Sequence, residues 1–148
     1  MLSLSHALSM FCNQYSTTAM QVAYRADLNQ LTGRWLRSVT EAELHAGYAA
    51  LHQAALHYQC GQWLVDSRRR INRILNSCDW VTAEFLPQVQ QALGAPLRVC
   101  FLVLPDYLDS LPESQQLTLT NGPVQFARHL DEGAGNAWLT MYPQAVDR

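Results

Sequence analysis

The chemistry this chain can offer is concentrated where an apolar run, Trp63-Leu64-Val65, gives way to Asp66-Ser67 and then to Arg68-Arg69-Arg70. Arg73 follows, so four of the ten basic residues, all of them arginine, fall within residues 68–73. Guanidinium forks match the oxygens of carboxylates and phosphates, which makes the cluster a candidate anion pocket. The plainer alternative pairs Asp66 with Arg68 or Arg37 and leaves the other arginines in a solvated loop, where surface ion pairs contribute little. A buried strand must surface here, and polar side chains at such a point are held by a rigid scaffold. Asp66, Ser67 and Arg68 are therefore the expected ligand- or partner-binding residues. Arg37, leaving the preceding strand, is expected to face the same loop.

Other chemistries find less support. His45 and His52 stand seven positions apart on one predicted helix, a separation of roughly 10 Å along its axis. One ion cannot be gripped by both, and they flank the apolar stripe, so they are expected as partly exposed bystanders. Cys12, Cys60, Cys78 and Cys100 form no CxxC pair, which argues against a zinc knuckle. Cys100 lies within an apolar run and should behave as a small hydrophobe. No Gly-x-Ser-x-Gly elbow and no glycine-rich phosphate loop is present. A nucleophile at Ser67 or a cysteine would be an enzyme without a visible base. No metal and no cofactor is expected.

Composition narrows the field further. The chain has 148 residues, 49% hydrophobic and 15% charged, a globular composition of a size that suits one domain spanning 1–148. A net charge of −2 argues against nucleic acid as a partner. No apolar run reaches the ~18 residues needed to span a bilayer, and residues 1–10 lack the basic start of a signal peptide. Free thiols then point to a reducing cytoplasm.

Hydropathy periods supply the scaffold. Residues 8–15 alternate loosely as a first strand. Residues 20–24 and 30–36 alternate on either side of Asp27-Leu28-Asn29, an antiparallel hairpin. Thr40-Glu41-Ala42-Glu43 is a capping box, and Leu44, Tyr48, Leu51, Ala55 and Tyr58 mark the buried face of the helix it opens. Gly61 is expected to close that helix in the left-handed position or to lie one residue past it. After the strand at 62–66, a second helix is expected from Asn76 or Ser77, disturbed at Pro87 and ended by Gly94. Residues 97–104 read as a strand covered on both faces. A short helix near 107–116, a turn at Asn121-Gly122-Pro123, a strand from Val124 and a helix over 131–141 weakened by Gly133 and Gly135 complete the chain. The fold class is α/β (mixed α+β): a mixed sheet with an N-terminal hairpin followed by βα units, helices packed upon it. Trp35 and Tyr24 are core residues by spacing, or else an exposed aromatic patch marking a dimer face.

The landmarks Trp35-Leu36-Arg37-Ser38-Val39-Thr40, Trp63 through Arg68, Trp80 through Phe85-Leu86-Pro87, Arg98 through Val103, Val124-Gln125-Phe126 and Asn136-Ala137-Trp138-Leu139 resemble small bacterial SpoIIAA-like (STAS/SEC14-type) proteins, common in Bacteroidetes. The resemblance covers roughly residues 20–140 and includes no catalytic signature. In anti-sigma-factor antagonists of the broader STAS group, an Asp-Ser pair follows a central strand and its serine is phosphorylated by a partner kinase. Asp66-Ser67 occupies a comparable place, but arginines follow it here instead of a glycine-rich helix start. The resemblance implies a non-catalytic regulatory or protein-interaction module that self-associates as a homodimer or binds a protein partner. The SEC14-type comparison implies an alternative, a carrier of a small anionic or apolar ligand in a cavity between sheet and helices, with the glycine-bearing last helix and residues 107–122 as its lid.

Overall fold

The hairpin is built as the alternation requires. Met20–Arg25 (β1) and Gln30–Trp35 (β2) pair antiparallel, Met20 opposite Trp35 and Arg25 opposite Gln30. Asn29 turns the chain at φ 48°, a left-handed conformation that asparagine tolerates. These elements belong to a computed structural model that describes residues 15–70, 80–112 and 119–141. The strand expected at 8–15 lies outside the described residues but for Tyr15, which is not in a strand.

Glu41–Tyr58 (α1) opens with the full capping box: Thr40 Oγ1 accepts from Glu43 N–H, and the Glu43 carboxylate accepts from Thr40 N–H. Its end departs from expectation. Gln59, not Gly61, takes the left-handed position, at φ 53°. Gly61 serves a different need, because a Cβ there would stand 2.3 Å from the Pro96 carbonyl oxygen. That close approach lets Arg98 N–H donate to Gly61 O at 2.7 Å and starts the next pairing of strands.

Gln62–Asp66 (β3) pairs parallel with both β2 and Leu97–Leu102 (β4). Between them the expected cap at Asn76 or Ser77 lies outside the described residues. The helix is seen from Trp80, as a π turn over Val81–Phe85 that runs into Leu86–Leu93 (α2). Leu86 N–H reaches back five residues to Val81 O. Pro87 explains this widening: it has no N–H to donate, and its ring crowds the carbonyl four residues earlier. Gly94 ends the helix at φ 68°, as expected.

Pro105 does more than break the fourth strand. It occupies the first turn of a short helix, Pro105–Ser110 (α3), where a missing N–H costs nothing, so the helix expected near 107–116 lies earlier. Leu119–Asn121 (β5), not anticipated, forms an antiparallel hairpin with Val124–His129 (β6) around Gly122 at φ 61°. Glu132–Met141 (α4) follows. The resulting six-stranded sheet has the order β1-β2-β3-β4-β6-β5, parallel in its middle and antiparallel at both edges. Among the described helices, none is long and apolar enough to cross a membrane.

Alternation along the strands sorts side chains onto two faces. Leu31, Trp35, Trp63, Val65, Val99 and Phe101 join residues of α1 and α2 in the larger core. Leu64, Cys100 and Leu102 pack with Leu139 of α4 in a smaller one on the opposite face. Each fully buried leucine contributes about 1.5–3 kcal/mol relative to exposure. Trp35 is only 1% exposed and packs edge-on to Tyr48, while Tyr24 stacks on Tyr58 with ring centroids 4.1 Å apart. Trp35 therefore does not belong to an exposed aromatic patch; α1 covers it, with Gly47 leaving the room its ring fills.

Candidate functional site

Strand register assembles the polar cluster at the carboxyl end of the sheet. Arg34 of β2 stands directly opposite Asp66 of β3, on the face that carries Leu64 and α4. Its Nη1 donates to Asp66 Oδ2 at 2.8 Å. Arg68 reaches the same carboxylate from the loop, with Nε on Oδ1 and Nη2 on Oδ2, both at 2.9 Å. Arg68 N–H adds a fourth bond to Oδ1 at 3.1 Å, an Asx-type turn that fixes the loop direction. Asp66 is 8% exposed, so every bond it accepts replaces water it has lost. Burial alone would raise its carboxyl pKa. The hydrogen bonds from Arg68 and the charges of Arg68 and Arg34 outweigh this and hold it below the ordinary carboxylate value.

Arg34 continues the network. Its Nη2 donates to Glu132 Oε2 at 2.7 Å, tying the sheet to the first turn of α4, where a carboxylate also suits the helix dipole. Glu132 first, then Asp66, raises the Arg34 pKa; Asp66 does the same for Arg68. Asp131 Oδ1 caps the helix by accepting from Ala134 N–H at 2.9 Å. A second arginine secures the other end of α4. Arg98, 4% exposed, donates from Nη1 to Leu139 O and from Nη2 to Trp138 O, and lies 3.8 Å from the Trp138 ring centroid. These are late carbonyls of the helix, where a cation complements the dipole. Gly135 lets the helix sit this close: a Cβ there would come within 2.8 Å of Cys100 Sγ.

The expected site residues are thus brought together only in part. Asp66, Ser67 and Arg68 stand where the strand ends, with Ser67 N–H donating to Leu102 O at 2.9 Å. Arg37 does not face this loop. It turns to α1, donating to both Glu43 carboxylate oxygens at 3.0 Å and to Ser38 O. The guanidinium that meets Asp66 instead is Arg34. The available signal was register: a parallel β2–β3 pair sets Arg34 opposite Asp66, whereas no local spacing does. Glu132 was missed because only the return of α4 onto the sheet brings it to Arg34.

Beyond the network lie Arg69, exposed, and Arg70, half-buried over the Trp35 ring at 5.6 Å. The same edge carries Leu36, Leu104 and Leu130, exposed by 39%, 39% and 43%, just past the ends of β2, β4 and β6. With strands roughly 4.8 Å apart, these leucines span roughly 14 Å of rim. The strand order advances steadily from β2 to β6, so the parallel strands have no point where the order reverses and a crevice opens.

Elsewhere the reactive groups are muted. Burial raises the Cys60 thiol and pushes Cys100 up to about 12. Both are free and buried; Cys12 and Cys78 lie outside the described residues. His45 is exposed and packs on Trp80; His52, half-buried, packs edge-on to Phe85. No group of three or more His, Cys, Asp or Glu among the described residues could hold a metal ion. No protein-family model, no curated protein and no solved structure matches this chain.

Proposed function

We propose that this chain is a non-catalytic protein-interaction module that self-associates through the carboxyl edge of its parallel strands. One observation carries the reading: Leu36, Leu104 and Leu130, three of the four exposed large hydrophobic residues among those described, lie on that single edge. Apolar side chains gathered around a positively charged loop fit a docking surface better than a reaction centre. The polar groups there support this, because Asp66, Arg34, Arg68 and Glu132 are engaged with one another. A general acid or base would need a carboxyl tuned toward neutrality, and Asp66 is shifted the opposite way. The resemblance to SpoIIAA-like regulatory proteins belongs to the same proposal, as does a cytoplasmic setting, which suits free Cys60 and Cys100 thiols.

Sedimentation velocity at micromolar protein is the test. A dimer is expected, and Leu104→Asp combined with Leu130→Asp should return it to monomer with unchanged circular dichroism. A wild-type chain that stays monomeric at every concentration removes self-association. Turnover on a panel of simple esters and phosphoesters, lost on Ser67→Ala, would overturn the non-catalytic reading.

A further inference from the structure

The carboxyl edge holds more positive charge than its own carboxylates use. Asp66 and Glu132 are taken by Arg34 and Arg68, whereas Arg69 and Arg70 make no salt bridge among the described residues. Arg70 is the telling one. Its Nε and Nη1 are shut away from solvent and have no hydrogen-bond partner among the described residues. Trp35, whose ring lies 5.6 Å from the Arg70 guanidinium, is itself 1% exposed and has an equally unpartnered Nε1. Three buried donor atoms in one aromatic–guanidinium contact, with no acceptor among the described residues, is a costly arrangement, the more so where a charge is involved. Arginine and indole N–H groups can only donate, so nothing within the pair can relieve the other.

We propose that Arg70 and Trp35 form a binding subsite for an oxyanion, a phosphate or carboxylate group carried by a small ligand. An oxyanion supplies what the pair lacks, several acceptor lone pairs and a negative charge, and guanidinium–oxyanion bonds are among the stronger hydrogen bonds in proteins. Arg70 N–H donates to Ser67 O at 3.2 Å, which closes a turn, and Ser67 N–H is anchored on Leu102 O. Arg69, on the same turn, is exposed and adds positive charge beside the pair. The subsite lies beside the Asp66 network and does not use it, and it stands whether or not the edge self-associates.

The full chain, labelled with 15N, is titrated with inorganic phosphate and separately with sodium acetate at constant ionic strength. The readout is the Trp35 indole N–H resonance, identified by its loss in Trp35→Phe. A saturable shift with phosphate alone assigns a phosphate group; with acetate alone, a carboxylate; with both, either oxyanion. Each supports the subsite provided that Arg70→Gln weakens the binding at least about tenfold. Arg25→Gln, which alters an exposed arginine at the opposite end of β1, should leave it unchanged. A resonance that does not saturate with either anion overturns the proposal, as does a shift that survives Arg70→Gln. Should Arg70→Gln fold poorly, Arg70→Lys keeps the charge but loses the planar fork, and undiminished binding by it would equally overturn the assignment.

Discussion

Replacing Asp66 by alanine removes the acceptor of the Arg68 guanidinium and backbone N–H, and one of the two acceptors of Arg34, which keeps Glu132. Each of the three guanidinium bonds would be worth about 1.5–3 kcal/mol if its loss were uncompensated. Arg34 and Arg68 side chains are each 33% exposed, however, so water replaces much of what the carboxylate gave them. Discounting for this screening, Asp66→Ala should cost about 2 kcal/mol. For a chain of this size that lowers the melting temperature by roughly 4–8 °C. The sign of the pH dependence gives a second arm. The Asp66 carboxyl is depressed in the folded protein, so its contribution is complete above the ordinary aspartate pKa and is lost as pH falls toward the depressed one. Urea denaturation of wild type and Asp66→Asn from pH 6 to pH 3 should show wild type losing its advantage over the variant as acid is added. A cost below about 0.5 kcal/mol, the range of ordinary surface changes, would refute the claim that this carboxylate organises the edge. So would a difference between the two proteins that does not change with pH.

Gly135→Ala should destabilise by about 1–2 kcal/mol in thermal denaturation. The clash with Cys100 Sγ exceeds the gain in helix propensity, whereas alanine at a solvent-facing helix glycine would stabilise. Thr40→Ala removes the acceptor for Glu43 N–H and should cost about 1 kcal/mol by the same assay. Glu43, held at about 2 chiefly by its bond from Arg37 and then by the Thr40 backbone, should titrate well below an ordinary glutamate when followed by carboxyl 13C shifts, and Arg37→Ala should move it up. Cys100, buried with its thiol pushed up to about 12, should resist iodoacetamide at pH 8 in peptide mapping and react once the chain is unfolded in urea.

What could be read directly from the chain was local. The capping box needs only Thr40 and Glu43 three residues apart, and the hairpin needs only alternation around a turn; both are present as expected. Local signals also misled where one residue type can serve two purposes. Gly61 resembles a helix terminator but is required for the approach of the Pro96 backbone, and Pro105 resembles a strand breaker but starts a helix. β5 escaped notice because three residues are too few to show a period. The candidate cluster was half legible. Asp66 and Arg68 are neighbours in sequence, whereas Arg34 and Glu132 meet only once parallel register and the return of α4 are set. Arg37 was assigned to the wrong neighbour although its true one, Glu43, was already prominent as the capping residue.

The placement of α4 has a consequence for synthesis. β1 to β4 are all present by Leu102, and α1 and α2 by then can already cover their side of the sheet. Leu64, Cys100 and Leu102, however, have their described cover in a helix that ends at Met141. At ribosomal speeds of about 5–20 residues per second, that strip waits roughly two to eight seconds for its helix. During this interval the emerging chain offers a chaperone a three-residue apolar stripe flanked by Arg34, Asp66 and Arg98. A message truncated before Glu132 would leave that stripe bare for good.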